Sequence, residues 1–153
     1  MAGDIHNMLV ALGARWLKQQ GFGVVATELV AAGITEQADV IGFRSNCSAL
    51  IEAKASRADF LVDHRKPHRV AGGLGVYRFY LCPAGAIQAE DLPSGWGLLY
   101  ADGKRVVDVI RPTGNLWPQY GVQAGDWAKF QHASNAEAER RVLYSIARRQ
   151  KVA

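Results

Sequence analysis

Four ionisable residues fall where strand geometry could let them act together: Asp39, Glu52, Lys54 and Glu28. Glu52 and Lys54 are two positions apart in the apolar run from Ala49 to Ala55, and side chains alternate along a strand, so they share one face. If Ala38–Arg44 pairs with Ala49–Ala55 as a hairpin, Asp39 comes to the end of the sheet where Glu52 and Lys54 lie. Two carboxylates side by side in an apolar sheet repel each other, and burying them bare is costly. A divalent cation relieves that cost, and hard oxygen ligands suit Mg2+ or Mn2+. Such an ion polarises a phosphate oxygen and acidifies a bound water, and the compact charge of Lys54 can orient that water. Glu28, one strand earlier, is a candidate third carboxylate. Against this stands a plainer account, since Glu-x-Lys in a strand is commonly an exposed ion pair worth under ~1 kcal/mol. Leu50, Ile51 and Ala53 favour the chemical reading, because they make the strand apolar on both faces, like a central one.

The elements that must hold these residues are readable from periodicity. Apolar residues at three- and four-residue intervals from Ile5 to Leu17 predict a helix from Asp4, its N-cap, to about Gln20, with Gly21 as its stop. Phe22–Val30, Ala38–Arg44 and Ala49–Ala55 read as strands, the last two joined by a tight Ser45-Asn46 turn. Ser56 caps a short helix to His64, with Asp59 as a capping-box residue, and Pro67 ends it. Val76–Cys82 is a fourth strand, and Gly97–Tyr100 with Arg105–Ile110 forms a hairpin turned at Asp102-Gly103. Pro112–Gln131 has no readable pattern, and a last helix runs from about Asn135 to Gln150. The expectation is one α/β domain over residues 1–153, an αβββαβ core with a mixed sheet flanked by helices, plus a β-hairpin and a C-terminal helix.

Composition narrows the class. Hydrophobic residues make up 49% and charged residues 21% of the 153 residues, as in an ordinary globular domain, and no apolar run approaches the ~20 residues of a membrane helix. No signal-peptide pattern is read at the N-terminus, and two cysteines, Cys47 and Cys82, are too few for a disulfide framework, so a reduced, cytoplasmic protein is expected. His64 and His68 have helical metal-ligand spacing, but Pro67 between them argues against a zinc site. A net charge of +4 permits a polyanionic partner without requiring one. The C-terminal arginines read as a solvated helix face. Gly72–Gly75 lacks the Lys-Ser/Thr of a phosphate loop and reads as a connector. Trp96, Trp117 and Trp127 could stack on bases, though tryptophans of small domains are more often core.

Ala38–Phe43 (ADVIGF) followed by Leu50–Arg69 (LIEAKASRADFLVDHRKPHR) resembles the core hairpin and following helix of the PD-(D/E)xK nuclease superfamily. More narrowly it is similar to MmcB-type DNA-repair proteins and to small nuclease-like relatives encoded by phages and prophages. Gly75–Pro83, Leu92-Pro93 and Trp96–Tyr100 continue the likeness, which spans roughly residues 25 to 107. Ala38 stands where the motif usually has proline. The resemblance implies a restriction-endonuclease-like fold, metal ligation by Asp39 and Glu52, a catalytic Lys54 and a supporting Glu28. It places Arg57 and Asp59 beside the site and makes Arg57, Lys66, Arg69 and Arg78 candidates for holding phosphates. For Arg78 a strand-surface cation, and for Asp59 a helix cap, are the competing roles. The expected function is Mg2+- or Mn2+-dependent hydrolysis of DNA, in repair, recombination or phage nucleic-acid processing. Two alternatives stay open: an inert nuclease-like module that binds nucleic acid or protein as a phage inhibitor or adaptor might, and an enzyme that cuts RNA. The expected partners are DNA or RNA, with a homodimer also open.

Overall fold

The computed structural model describes residues 2–30, 37–63 and 73–149. Helix α1 (Ala2–Gln19) leads into strands β1 (Val24–Val30), β2 (Gln37–Phe43) and β3 (Ser48–Ala53). Helix α2 (Arg57–Asp63) crosses to β4 (Tyr77–Pro83), and β5 (Trp96–Asp102), β6 (Arg105–Ile110) and α3 (Ala136–Arg149) complete the order. The six strands lie in chain order across one sheet. β1, β2 and β3 are antiparallel, β3, β4 and β5 are parallel, and β6 returns antiparallel on β5. The chain is therefore a mixed α/β fold with helices about a mixed sheet and a C-terminal helix, as the sequence pattern predicts.

Local chemistry accounts for most boundaries. The β2–β3 turn closes through the Arg44 amide donating to Cys47 O at 2.9 Å. Ser56 Oγ accepts the Asp59 amide at 3.2 Å and caps α2. Asn135 Oδ1 accepts the Ala138 amide at 3.0 Å and does the same for α3. Gly21 follows α1 with φ of 98°, a conformation that suits glycine. Two expectations shift: α1 begins at Ala2, so Asp4 sits inside its first turn, and β1 begins at Val24, because Phe22 turns into the core instead.

All six residues of β3 are buried. Ile51 with Val40, Phe79 and Leu81 packs beneath Leu9 and Leu17 of α1. Leu50 with Ile41, Tyr80 and Leu98 packs against Phe60 of α2 and Val142 of α3 on the other face. The unpatterned stretch Pro112–Gln131 forms a strap that seals the α1 face. Its Trp117 is fully buried, edge-on to Phe22 (4.9 Å), Tyr77 (5.3 Å) and Trp127 (4.9 Å). The Arg111 guanidinium lies 5.4 to 6.0 Å from the Trp16, Trp117 and Trp127 rings, a cation–π arrangement that lets a charge sit among indoles. Trp96, Trp117 and Trp127 are thus all core. Among the described residues no helix is long and apolar enough to cross a membrane.

His132 ties the strap's end back to the sheet. Its amide donates to Val76 O at 2.8 Å and its Nε2 lies 2.9 Å from Gly95 O. Burial, with the nearby Arg78 charge adding, holds the imidazole below its ordinary value of 6.5 despite the Gly95 hydrogen bond. The unfolded chain therefore binds a proton more readily, and stability is full above about 6.5 and falls as pH drops below it. Urea midpoints measured from pH 7.5 to 5 should fall along a slope of at most ~1.4 kcal/mol per pH unit from this residue. The slope should flatten in His132→Gln, which can still donate to Gly95 O.

Candidate active site

Pairing register lines up the carboxylates. Glu52 of β3 pairs with Tyr80 of β4. Val40 pairs with Ile51, so the preceding Asp39 stands opposite Glu52. Thr27 pairs with Val40 and Leu29 with Ala38, so Glu28 stands opposite Asp39. Glu28, Asp39, Glu52 and Tyr80 thus form one row across four neighbouring strands. The row lies at the end of the sheet where parallel β3, β4 and β5 finish, the usual place for a ligand on an open α/β sheet.

Each member has a distinct environment. Asp39 Oδ2 accepts the Ala53 amide at 2.9 Å, and Oδ1 faces His6 Nε2 at 3.7 Å. Glu52 is 2% exposed, a carboxylate set inside the central strand. Glu28 is exposed and has φ of 49°, the left-handed region that a residue with a Cβ seldom occupies. Its Oε1 lies 3.2 Å from His6 Nε2 on α1. Strain of this kind costs on the order of 1–3 kcal/mol and gathers at functional sites.

Lys54 follows directly. Its amide donates to Leu81 O at 2.9 Å, which extends the β3–β4 ladder past the last strand residue. Its Nζ donates to Asp63 Oδ1 at 3.1 Å, and Tyr80 Oη donates to Asp63 Oδ2 at 2.6 Å. Asp63, at the end of α2, has a side chain with no exposure, and that of Lys54 is 11% exposed. Tyr80 is itself held between the edge-on ring of Phe60 (4.9 Å) and the stacked ring of Trp96 (4.4 Å). The lysine is therefore anchored by a Lys54–Asp63–Tyr80 chain that joins β3, α2 and β4.

The anticipated phosphate-holding residues meet different fates. Arg57 is exposed at the start of α2, beside the site, and pairs with both carboxylate oxygens of Asp91, the Nη2–Oδ1 contact being 2.8 Å. That pairing raises its pKa further. Arg78 is corrected: it is 3% exposed, and its Nε donates to Gly75 O at 2.9 Å near the start of β4, where the His132 strap covers it. A charge inside the sheet's cover cannot grip a phosphate backbone. Lys66 and Arg69, with His64, Pro67, His68 and Gly72, lie outside the described residues. Asp59 is exposed in the first turn of α2. His6 and Asp63 are site residues that sequence reasoning missed. Their spacing carries no signal, since helix docking alone brings them to the row.

Among the described residues no group of three or more His, Cys, Asp and Glu side chains is arranged to hold a metal ion. The opposed pair Asp39 and Glu52 is the oxygen set on offer. It fits magnesium or manganese, which are held by one or two carboxylates completed by waters and substrate oxygens.

No family model matches the sequence, and no curated protein matches it. The chain is similar to a solved structure of a protein of unknown function from Silicibacter pomeroyi. Identity is 26% and the TM-score 0.63, over 95% of this chain and 88% of that one.

The buried chain makes a sharp stability statement. Asp63→Ala leaves Lys54 without its buried partner and should destabilise by about 3–5 kcal/mol, whereas Lys54→Met with Asp63→Leu should cost much less. Urea unfolding of the single and double variants checks this. Equal losses in both would mean that the ion pair is not what holds α2 to the sheet.

Proposed function

We propose that this chain is a Mg2+- or Mn2+-dependent phosphodiesterase acting on DNA, of the PD-(D/E)xK kind and nearest in type to the MmcB-type repair proteins and their phage-encoded relatives. The observation that carries the reading is the apposition of Asp39 and Glu52 across β2 and β3, with Lys54 two residues beyond Glu52. The buried, free cysteines Cys47 and Cys82, whose thiols burial pushes up to about 11, suit a reducing cytoplasm.

Asp39 and Glu52 would hold the cation, which when bound supplies charge stabilisation at the scissile phosphate and a water of lowered pKa. The Ala53 amide fixes Asp39 through Oδ2 and so sets where its other oxygen points. Lys54 has three donors. Asp63 takes one and orients the ammonium, leaving the others for an attacking water or a phosphate oxygen. Tyr80 keeps Asp63 from turning away. Arg57, on the exposed start of α2, can contact a phosphate by exchanging Asp91 for it.

A second reading draws on the same anchor. Lys54 is committed to a buried carboxylate, as it would be in an inert module that keeps the fold for binding alone. Cleavage of single-stranded, duplex and branched DNA, and of RNA, separates the two. With Mg2+ or Mn2+ the wild type should cut DNA, and Glu52→Gln and Asp39→Asn should each lose several kcal/mol of transition-state stabilisation, at least about a hundredfold in rate. Their melting temperatures are checked alongside. A wild type that binds DNA but cuts nothing would support the inert module, and preferential cutting of RNA would reassign the substrate.

A further inference from the structure

We infer that the corner between α1 and the β5–β6 turn is a contact for the phosphate backbone of a nucleic acid, separate from the carboxylate row. A cavity of about 270 Å3 opens there. Arg15, Gln19, Lys104 and Arg105 surround it over a floor of Trp16 and Val106, and no carboxylate lines it. Trp16 is buried and fixes the α1 wall, while the three cations are exposed.

Among the described residues most other arginines are engaged elsewhere. Arg44 donates to Gln20 O, Arg57 pairs with Asp91, Arg78 is buried, and Arg111 lies among the indoles. On α3, Arg141 pairs with Glu137 and Arg148 lies over Tyr144. Arg15, Lys104 and Arg105 have no ion pair among the described residues, yet converge on one concavity. Like charges gathered on a concave surface with no internal anion repel one another, and they focus a positive potential on whatever enters. A phosphodiester backbone fits, because it offers repeated single charges and needs no groove-reading element.

The corner is also well placed. β3, β4 and β5 are parallel, so the β5–β6 turn projects from the same end of the sheet as Lys54. Three strand spacings separate β3 from β6, roughly 14 Å across the sheet. The corner lies on the α1 face, behind the face that carries Lys54, so a strand touching both passes around the end of the sheet. The inference takes its DNA partner from the nuclease reading but does not depend on cutting.

The test is equilibrium binding of a labelled duplex of about 20 base pairs, without divalent metal, over about 50–300 mM KCl. The corner variant is Arg15→Gln/Lys104→Gln/Arg105→Gln. The control, Arg140→Gln/Arg141→Gln/Arg148→Gln, removes the same charge from α3. Each backbone phosphate contact adds about 0.9 to the slope of log K against log salt, so the corner variant should lose about 2–3 of slope and the control well under 1. Equal losses in both variants, no loss in either, or no salt-dependent binding by the wild type would overturn the assignment. Cleavage is measured in parallel with Mg2+. A slope lost at the corner with no cutting by the wild type keeps this inference and ends the nuclease reading. Cutting with an unchanged slope does the reverse.

Discussion

β3 runs through the middle of the sheet with every residue buried, and one of them is Glu52. A carboxylate in that position is costly to bury bare, and the polar groups of the candidate site gather around it. The strand on one side presents Asp39, and the strand on the other presents Tyr80. The next outward-facing residue on the same side is Lys54, whose ammonium is fixed by Asp63. Polar groups brought together in low dielectric are costly when half satisfied and rigid when fully satisfied. α2 docks through this constraint, since Phe60 packs on Tyr80 while Asp63 closes the polar chain behind it.

The opposite face is mainly apolar and aromatic, with the Arg111 guanidinium set among its indoles. α1 lies across the sheet there, and Gly13 brings it within 3.4 Å of Ile51 and Leu81 at the position a Cβ would take. α3 is tied down by Glu139, whose Oε2 accepts both Ser48 Oγ and the Gly75 amide at 2.7 Å. The candidate site is thus borne by strands held from both sides, with only its rim supplied by α1 and the start of α2.

Much of this was legible in the sequence, for identifiable reasons. Strand alternation puts Glu52 and Lys54 on one face whatever else the chain does, and a two-residue turn fixes where Asp39 falls. The cap at Ser56 is local chemistry and reads directly. What failed to read is what tertiary contact decides. The strap from Pro112 to Gln131 has no periodicity, because Trp117 and Trp127 are placed by the cavity they fill. Asp63 and His6 carry no local signal, since only the docking of α2 and α1 brings them to the row. Arg78 misled for the converse reason. A cation on a strand suggests surface, but the His132 segment is tied to Val76 beside it, and Gly75 O accepts its hydrogen bond.

The left-handed turn of the backbone at Glu28 has a second effect. β1 is a border strand of the sheet, with no further strand beside it among the described residues. A border strand of even pleat is a template on which another chain's strand can be added. The kink between Thr27 and Leu29 breaks that template near its middle and sets a carboxylate at the break. At the far border β6 carries Arg105 and Asp108, both exposed, on a strand whose pairing with β5 is itself shifted at Leu98–Leu99. The conformation that aims Glu28 at His6 thereby also discourages the sheet from growing into a fibre.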